Sequence, residues 1–585
     1  MMWVTALLLT TTWTTTLGQE MGELPMLFDN DCMRADANGG WNSPFFNESQ
    51  VGRTDVTIDP TVLNTMLYSP KASKYYPADY AFSSPSGVAF SAAGIGIRIR
   101  GYSSRYMAGS KHSYTLNLGK ADGATIPYGL RKVALRGEPF DPSMMREHLT
   151  CDVLRAMGVC HARKSYSQLY INDVYWGLFL MMEIIDDAFL PSRFGVKEGE
   201  GMLYKLPTWD TSYLGMNFWM PALQELYFQK EPLKSYKDSN LYSPLVHLAS
   251  LPGITSPETF APAMALALDV PLFLRSAAVL ELLFDWDSIA NGNNYYMAIL
   301  SETNQVVFIP TDFDISIGFM SNTTECGTFY TFGCDPTKHI PLYNAIVASP
   351  DFRPMFTAYG RILVDKLLDG ADAPIQKRIS ALRTLIEPFA VKPFFNDTHA
   401  PFPPSQESFD GSFVDRIYTG NDTYIAGIST WLDWFPMQFA ETMDPMEDGL
   451  TIARIEAPSS TESDTVDVRV IVHGNVDVTS VTIKYELVSF ATGETSANST
   501  QAMLDTQTSP YSTTWVATLE LPYGVPQGVF FQAVALPASG SAQPAVFPPN
   551  GSYRAITNFK GASMDDLELD MDELHHLIAR AKPSL

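Results

Sequence analysis

Cysteine is scarce in this chain, five in 585 residues. That excludes a small disulfide-framed scaffold, which needs bridges at far higher density. The odd count leaves at least one thiol free or paired with another chain. Positive charge is also short, 39 Lys and Arg against 64 Asp and Glu, for a net charge of −25. Binding to nucleic acid or to an anionic membrane needs a basic face, so no nucleic-acid partner is expected. Past the N-terminus no run reaches the roughly 18 uninterrupted apolar residues of a membrane helix, so no transmembrane anchor is expected either. The patterns GxSxG, HExxH, GxxxxGK[ST] and CxxC are all missing, and the nine histidines are scattered except for His575-His576. A histidine-built metal hydrolase does not fit.

What is present is a large apolar inventory, 46% hydrophobic and 12% aromatic, enough for more than one globular core. Residues 1–18 read as a secretory signal peptide, a short apolar run followed by small residues. Six N-x-[ST] sequons, at Asn47, Asn322, Asn396, Asn421, Asn498 and Asn550, agree with a secreted glycoprotein. Cys326 and Cys334 bracket the turn-like GTFYTFG and are the best disulfide candidates.

Residues 19–54 are polar and irregular, and 55–206 are mainly strand-like. The runs 165–172 and 175–185 meet across Asn172-Asp173-Val174, a hairpin signal. A helix is expected over 143–158, capped by Ser143 and ended by Gly158. From 207 to 440 helices dominate, including 269–284, opened by Asp269 with Pro271 and apolar nearly all round. Helices are also expected at 359–370 and 373–389. Between 450 and 548 short alternating strands suggest a β-sandwich of immunoglobulin or fibronectin type. An acidic amphipathic helix is expected at 564–582, within a tail spanning 549–585. The glycines of GIGIRIRG (94–101) are expected to admit close packing rather than to bind phosphate.

The informative stretch is 281–319. Asp285 and Asp287 follow the buried helix, with Asn291, Asn293 and Asn294 in the next loop. YYMAIL and VVFIP form a hairpin, and Asp312 and Asp314 end its second strand. Oxygen ligands without His or Cys suit a hard cation, Mg²⁺ or Mn²⁺. A loop Asp as base, a loop Asn on the metal and a strand-end Asp on the metal is a phosphoryl-transfer arrangement.

These segments resemble the CotH kinase family. The motifs are RIRGYSSRYMAGSKHSYTLNL (98–118), REHLTCDVLRAMG (146–158) and QLYINDVYWGLFLMMEIID (168–186), with GMLYK (201–205), WDSIANGNNYY (286–296) and PTDFDISIGF (310–319). The resemblance covers about 55–440. It implies an α+β fold, an atypical protein-kinase-like domain of two lobes (about 55–206 and 207–440), here followed by the sandwich. It implies ATP and Mg²⁺ or Mn²⁺ as cofactors. Asp287 would be the catalytic base; Asn294, Asp312 and Asp314 would hold the metal. Lys111, Arg98 and Arg100 would face nucleotide phosphates, with Glu183 pairing Lys111. His112 stands beside Lys111 where the family has a second lysine, and Thr311 replaces the family's usual Trp. The activity implied is Ser/Thr phosphorylation of a protein substrate outside the cell or in the secretory pathway. Two other readings stay open: an adhesin that binds an extracellular or host-surface protein without catalysis, and a kinase-fold amino-acid ligase or AMP-transferase.

Overall fold

The computed structural model describes residues 22–28, 43–68, 74–101, 111–121, 130–186, 189–194, 202–205, 243–285, 287–289, 294–299, 305–318, 329–330, 341–391, 406–414, 417–420, 423–425, 427–446, 449–456, 460–461, 465–489, 495–521, 527–538, 544–547 and 554–558. The helix expected at 564–582 lies outside these residues.

Strands β1 (Val51–Thr57), β2 (Tyr76–Ser83), β3 (Ala89–Ile99), β4 (Tyr114–Asn117), β5 (Lys132–Arg136), β6 (Lys164–Ile171) and β7 (Val174–Glu183) close into one barrel, in the order β1-β2-β3-β4-β5-β7-β6. The closing seam is the parallel pair β1–β6, Val51 opposite Tyr166 through Val56 opposite Ile171. Alternation drives this closure. Ile95, Ile97 and Ile99 of β3 point inward with Leu116, Val133, Leu135, Leu169 and Phe179, and fill the interior. The β6–β7 turn is the expected one: Asn172 and Asp173 take φ of 51° and 64°, the left-handed pair a two-residue hairpin requires. β1 begins inside the stretch expected to be irregular. Among the glycines of β3, Gly96 is overlaid by the Tyr75 ring and the Lys120 stem rather than by backbone.

A second core is built from helices, among them Arg146–Ala156, Val270–Leu282, Arg353–Leu363, Pro374–Ala390 and Ile428–Thr442. It encloses a three-stranded sheet ordered β10-β9-β8, from β8 (Met202–Lys205), β9 (Tyr295–Ile299) and β10 (Val306–Pro310). Asp269 caps the Val270–Leu282 helix as expected, accepting from the Leu272 N–H at 3.1 Å. Among the described residues no helix is long and apolar enough to cross a membrane.

After the hairpin β11 (Ile417–Gly420) and β12 (Thr423–Ile425) comes a nine-stranded sheet of β13 (Leu450–Glu456), β14 (Ser460–Thr461), β15 (Thr465–Gly474), β16 (Val478–Ser489), β17 (Thr495–Ser509), β18 (Ser512–Glu520), β19 (Gln527–Pro537), β20 (Ala545–Phe547) and β21 (Arg554–Asn558). β17 pairs with β16 along its first half and with β18 along its second. Both arms bury their inward residues, Val468 and Ala517 from one and Ile483 and Phe531 from the other, in one shared core.

Candidate active site

The Val270–Leu282 helix ends abruptly. The Phe284 N–H bonds the Glu281 carbonyl at 3.0 Å and the Asp285 N–H bonds that of Leu280 at 2.9 Å, with Phe284 at φ 50°. This is a Schellman ending with phenylalanine where glycine is usual, a substitution costing about 1–2 kcal/mol. The Phe284 ring is held by Trp431 and Phe435, at centroid distances of 5.5 and 5.4 Å. The chain therefore turns at a fixed point and delivers Asp285, 2% exposed, out of the helix.

The β9–β10 hairpin brings the other groups in. Pro310 lies opposite Tyr295, and the Thr311 N–H bonds the Asn294 carbonyl at 2.9 Å. Asn294 and Asp312 thus share one end of the hairpin, both left-handed, at φ 54° and 71°. Residues held in this region need surroundings that over-determine them. The Asn294 Nδ2 donates to the Asp287 carbonyl at 2.8 Å and to its Oδ2 at 3.0 Å, so the carboxylate expected to be the base has a fixed orientation.

Arg136, the last residue of β5, joins this group from the barrel. Its Nη2 contacts Asp312 Oδ1, Glu147 Oε2 at 2.7 Å and Asp314 Oδ2 at 3.5 Å, and its Nε lies 3.4 Å from Glu138 Oε1. Glu147 comes from the first turn of the Arg146–Ala156 helix. Asp141 caps that helix, accepting from the Met145 and Arg146 N–H groups at 2.8 Å each. Ser143, expected to be the cap, adds only a 3.2 Å bond to the Met145 N–H. The same helix fixes the aspartate loop: Arg146 donates to the Ser316 and Ile317 carbonyls, and Thr150 bonds the Ser316 hydroxyl at 2.8 Å.

The electrostatics are strongly one-sided. Burial first, then Asp287, Asp314, Asp312 and Glu147, push the Asp285 carboxyl well above its ordinary range. Neither of its oxygens has a hydrogen-bond partner among the described residues. Burial, opposed by Arg136 and aided by Asp312 and Glu147, pushes Asp314 up to about 8. Although burial opposes it, Asp312, Glu147, Asp314 and Glu138 hold Arg136 firmly charged. A buried, unbonded carboxylate among other carboxylates is costly unless it serves a cation. Asp285, Asp287, Asn294, Asp312 and Asp314 offer the oxygen-only chemistry of a hard divalent ion, although among the described residues no three of these carboxylates bring ligand atoms within 4.8 Å of one another.

The remaining expected residues divide. Arg100, one residue beyond β3, reaches the cluster: burial and Arg136 lower its pKa, while Asp312, Tyr296 and Glu147 oppose this. Arg98 instead lies over the Tyr75 ring at 5.0 Å. The Lys111 ammonium contacts the Leu178 carbonyl and sits 4.5 Å from the Phe179 ring centroid. Burial pulls its pKa down to about 7, partly offset by Glu138. Glu183 is not joined to Lys111. Arg163, at 2.8 Å, and Arg193 grip it, and against the upward push of burial they hold its pKa below the ordinary value.

Cys326 and Cys334 lie outside the described residues; Cys160 is disulfide-bonded, and Cys151 is a buried free thiol inside a helix. Asn47 accepts from the Ser49 N–H at 2.9 Å, and Asn498 is exposed on β17. Asn322, Asn396, Asn421 and Asn550 lie outside the described residues.

A second group, Glu48, His148 and Asp152, has a spacing that would suit a metal. Its carboxylates are already met by cations. Lys164 lies 2.7 Å from Asp152 and 3.0 Å from Glu48, Arg378 lies at the same two distances, and Arg155 lies 3.3 Å from each. Burial, then Lys164, keep His148 neutral, and its Nε2 faces Arg378 at 3.2 Å. Three cations on two carboxylates make a structural tie between barrel and helices, not a metal site.

Comparison with known proteins bears on the whole domain. A family model described as CotH kinase protein matches residues 97–412, more than half of the 585 residues. The inner spore coat protein H of Bacillus subtilis (strain 168) is 23% identical over 193 residues, covering 32% of this chain and 51% of that protein. The chain thus spans about half the length of that curated relative. Among solved structures, Pseudomonas fluorescens alkylpurine DNA glycosylase AlkC, bound to DNA containing an abasic-site analogue, covers 55% of this chain and 83% of its own at 9% identity. Its TM-score of 0.13 carries no argument about fold or function. The hairpin-end aspartates and the asparagine that orients Asp287 fall within the matched span, and the chain belongs to the CotH kinase family.

Proposed function

We propose that this protein is an ATP- and divalent-metal-dependent atypical kinase, transferring the γ-phosphoryl group to Ser or Thr hydroxyls of a protein in the secretory pathway or outside the cell. The observation that carries the reading is the convergence of Asp285, Asp287, Asn294, Asp312 and Asp314, with both oxygens of buried Asp285 lacking a partner among the described residues. The leader-like N-terminus and the sequons support the secretory setting. On this reading the barrel and the helical core act as the two lobes, and the C-terminal sheet is an appended sandwich module.

Asp285, Asp312 and Asp314 would hold Mg²⁺ or Mn²⁺, with Asn294 beside them. An ion held there would supply positive charge against the charge that develops on the transferring group. The chain's own residues do the rest. Asp287 accepts the acceptor hydroxyl's proton at its carboxylate. Asn294 fixes that carboxylate through two donations, so the base needs no reorganisation. The hairpin places Asp312, and the Arg146–Ala156 helix fixes the loop that follows it through Ser316 and Ile317.

The test is incorporation of label from γ-³²P-ATP with Mg²⁺ or Mn²⁺, beside α-³²P-ATP. Label from the γ position alone is expected, falling about 10²–10⁴-fold in Asp287→Ala and lost in Asp312→Ala. Label from the α position would refute phosphotransfer in favour of AMP transfer. No label and no metal-dependent ATP binding would leave a binding protein.

A further inference from the structure

We infer that Arg136 is the cation that holds the nucleotide phosphates in this chain, and that Glu147 and Glu138 are the carboxylates that aim it. The inference rests on the kinase reading and names a residue which neither the sequence pattern nor the family match assigns.

Phosphoryl transfer of this type uses a strand cation on the phosphates, locked by a carboxylate from a neighbouring helix and close to the metal-side aspartate. The pair expected for that task, Lys111 with Glu183, is not assembled. Glu183 is gripped by Arg163 and Arg193. The Lys111 ammonium packs on a backbone carbonyl and an aromatic ring.

Arg136 has every relation the task demands. It ends a barrel strand, paired with Leu180 of β7. Its Nη2 meets Glu147, from the first turn of the helix laid against the barrel, at 2.7 Å. The same nitrogen reaches Asp312 and Asp314 at the hairpin end. Asp312 is 34% exposed where the Arg136 side chain is 7% exposed, so the guanidinium is sunk behind the open aspartate. Arginine suits this post better than lysine. Nε can be held by Glu138 and Nη2 by Glu147 and the aspartates while Nη1 remains for an anion, a division a single ammonium cannot make. The Gly137 N–H bonds the Ser113 hydroxyl at 2.9 Å, fixing the backbone between Arg136 and Glu138. Arg100, just past the end of β3, supplies a second positive charge close enough to Arg136 to feel it.

The experiment is calorimetric binding to the full chain, with MgATP, inorganic triphosphate with Mg²⁺, and adenosine as separate probes, and a thermal melt for each variant. Arg136→Lys keeps the buried charge and removes the fork. It is expected to weaken MgATP and triphosphate about tenfold while adenosine stays within about twofold. Glu147→Gln, which leaves Arg136 in place but unaimed, is expected to weaken the same two probes about threefold. Unchanged MgATP binding in both variants overturns the inference and leaves the kinase reading intact. So does equal weakening of adenosine, which marks a structural role. Should Arg136→Lys melt early, Glu147→Gln decides by the same comparison. A wild-type protein that binds neither MgATP nor triphosphate overturns both.

Discussion

Gly318 closes the loop that carries Asp312 and Asp314, and its environment makes a quantitative prediction possible. Its φ is +75°, and a Cβ built there would sit 2.5 Å from Cε3 and 2.8 Å from Cε2 of Trp431. Trp431 is 1% exposed and stacked on Phe435 at 4.3 Å. It belongs to the Ile428–Thr442 helix, which follows the span matched by the family model. The ring cannot swing away without disturbing Phe284, and hence the turn that delivers Asp285. Gly318→Ala therefore meets two costs. The left-handed backbone costs about 1–2 kcal/mol. The overlap with a packed ring adds about 1–3 kcal/mol. Denaturant unfolding should show a loss of about 2–5 kcal/mol. Repeating the substitution in Trp431→Leu separates the terms, since only the backbone cost survives there. The cycle should give a coupling of about 1–3 kcal/mol between the two positions. A loss below about 0.5 kcal/mol, or an equal loss in both backgrounds, would refute the view that Trp431 buttresses the aspartate loop.

Asp285→Asn removes a buried carboxyl that burial and its acidic neighbours keep neutral until a cation ionises it. In chelator the variant should unfold no earlier than the wild type, while the stabilisation by saturating Mg²⁺, about 2.7 kcal/mol at a hundred times Kd, should vanish; an undiminished metal shift would remove Asp285 from the site. Arg378→Met strips one cation from Asp152 and Glu48, and unfolding should show a loss of about 3–5 kcal/mol, with a loss below about 1 kcal/mol arguing against the tie. Burial, then Lys164, hold His161 neutral, well below its ordinary pKa. The unfolded chain then binds a proton that the folded chain refuses, so this histidine's contribution is complete above about pH 6.5 and is lost below it. The stability advantage of wild type over His161→Gln should shrink by about 1.4 kcal/mol per pH unit on descending from pH 6.5; a difference constant from pH 7.5 to 5.5 would contradict it.

Where one residue's identity decides the local structure, the sequence was readable. Asn172-Asp173 has the φ preferences of a two-residue turn, and Asp269 has the side chain of a cap, so both features appear where expected. Asp287, Asn294, Asp312 and Asp314 were legible as a set because a short hairpin joins them. Long-range closure was not legible. Nothing in β1 or β6 alone says that they pair in parallel to shut a barrel. Glu183 shows the same limit: its strand position fits several partners, and Arg163 and Arg193 win through a register that no local pattern encodes. Arg136, in the strand KVALR, reads as an ordinary alternating residue until the helix and the hairpin arrive around it.

Asp285 is the instructive case: it stands beside Asp287 in the informative stretch without a role of its own, although it carries a further signal. A carboxylate just past the C-terminal end of a wholly buried helix faces the negative end of the dipole. Phe284 before it occupies a left-handed position that glycine would fill at less cost. Two local rules are broken at adjacent positions; packing on Trp431 and Phe435 offsets the cost at Phe284, and no hydrogen bond among the described residues offsets that at Asp285. Such conflicts concentrate where function overrides stability. A buried apolar helix that ends in an aspartate, against its own dipole, is on sequence grounds alone a reason to assign that aspartate to the site.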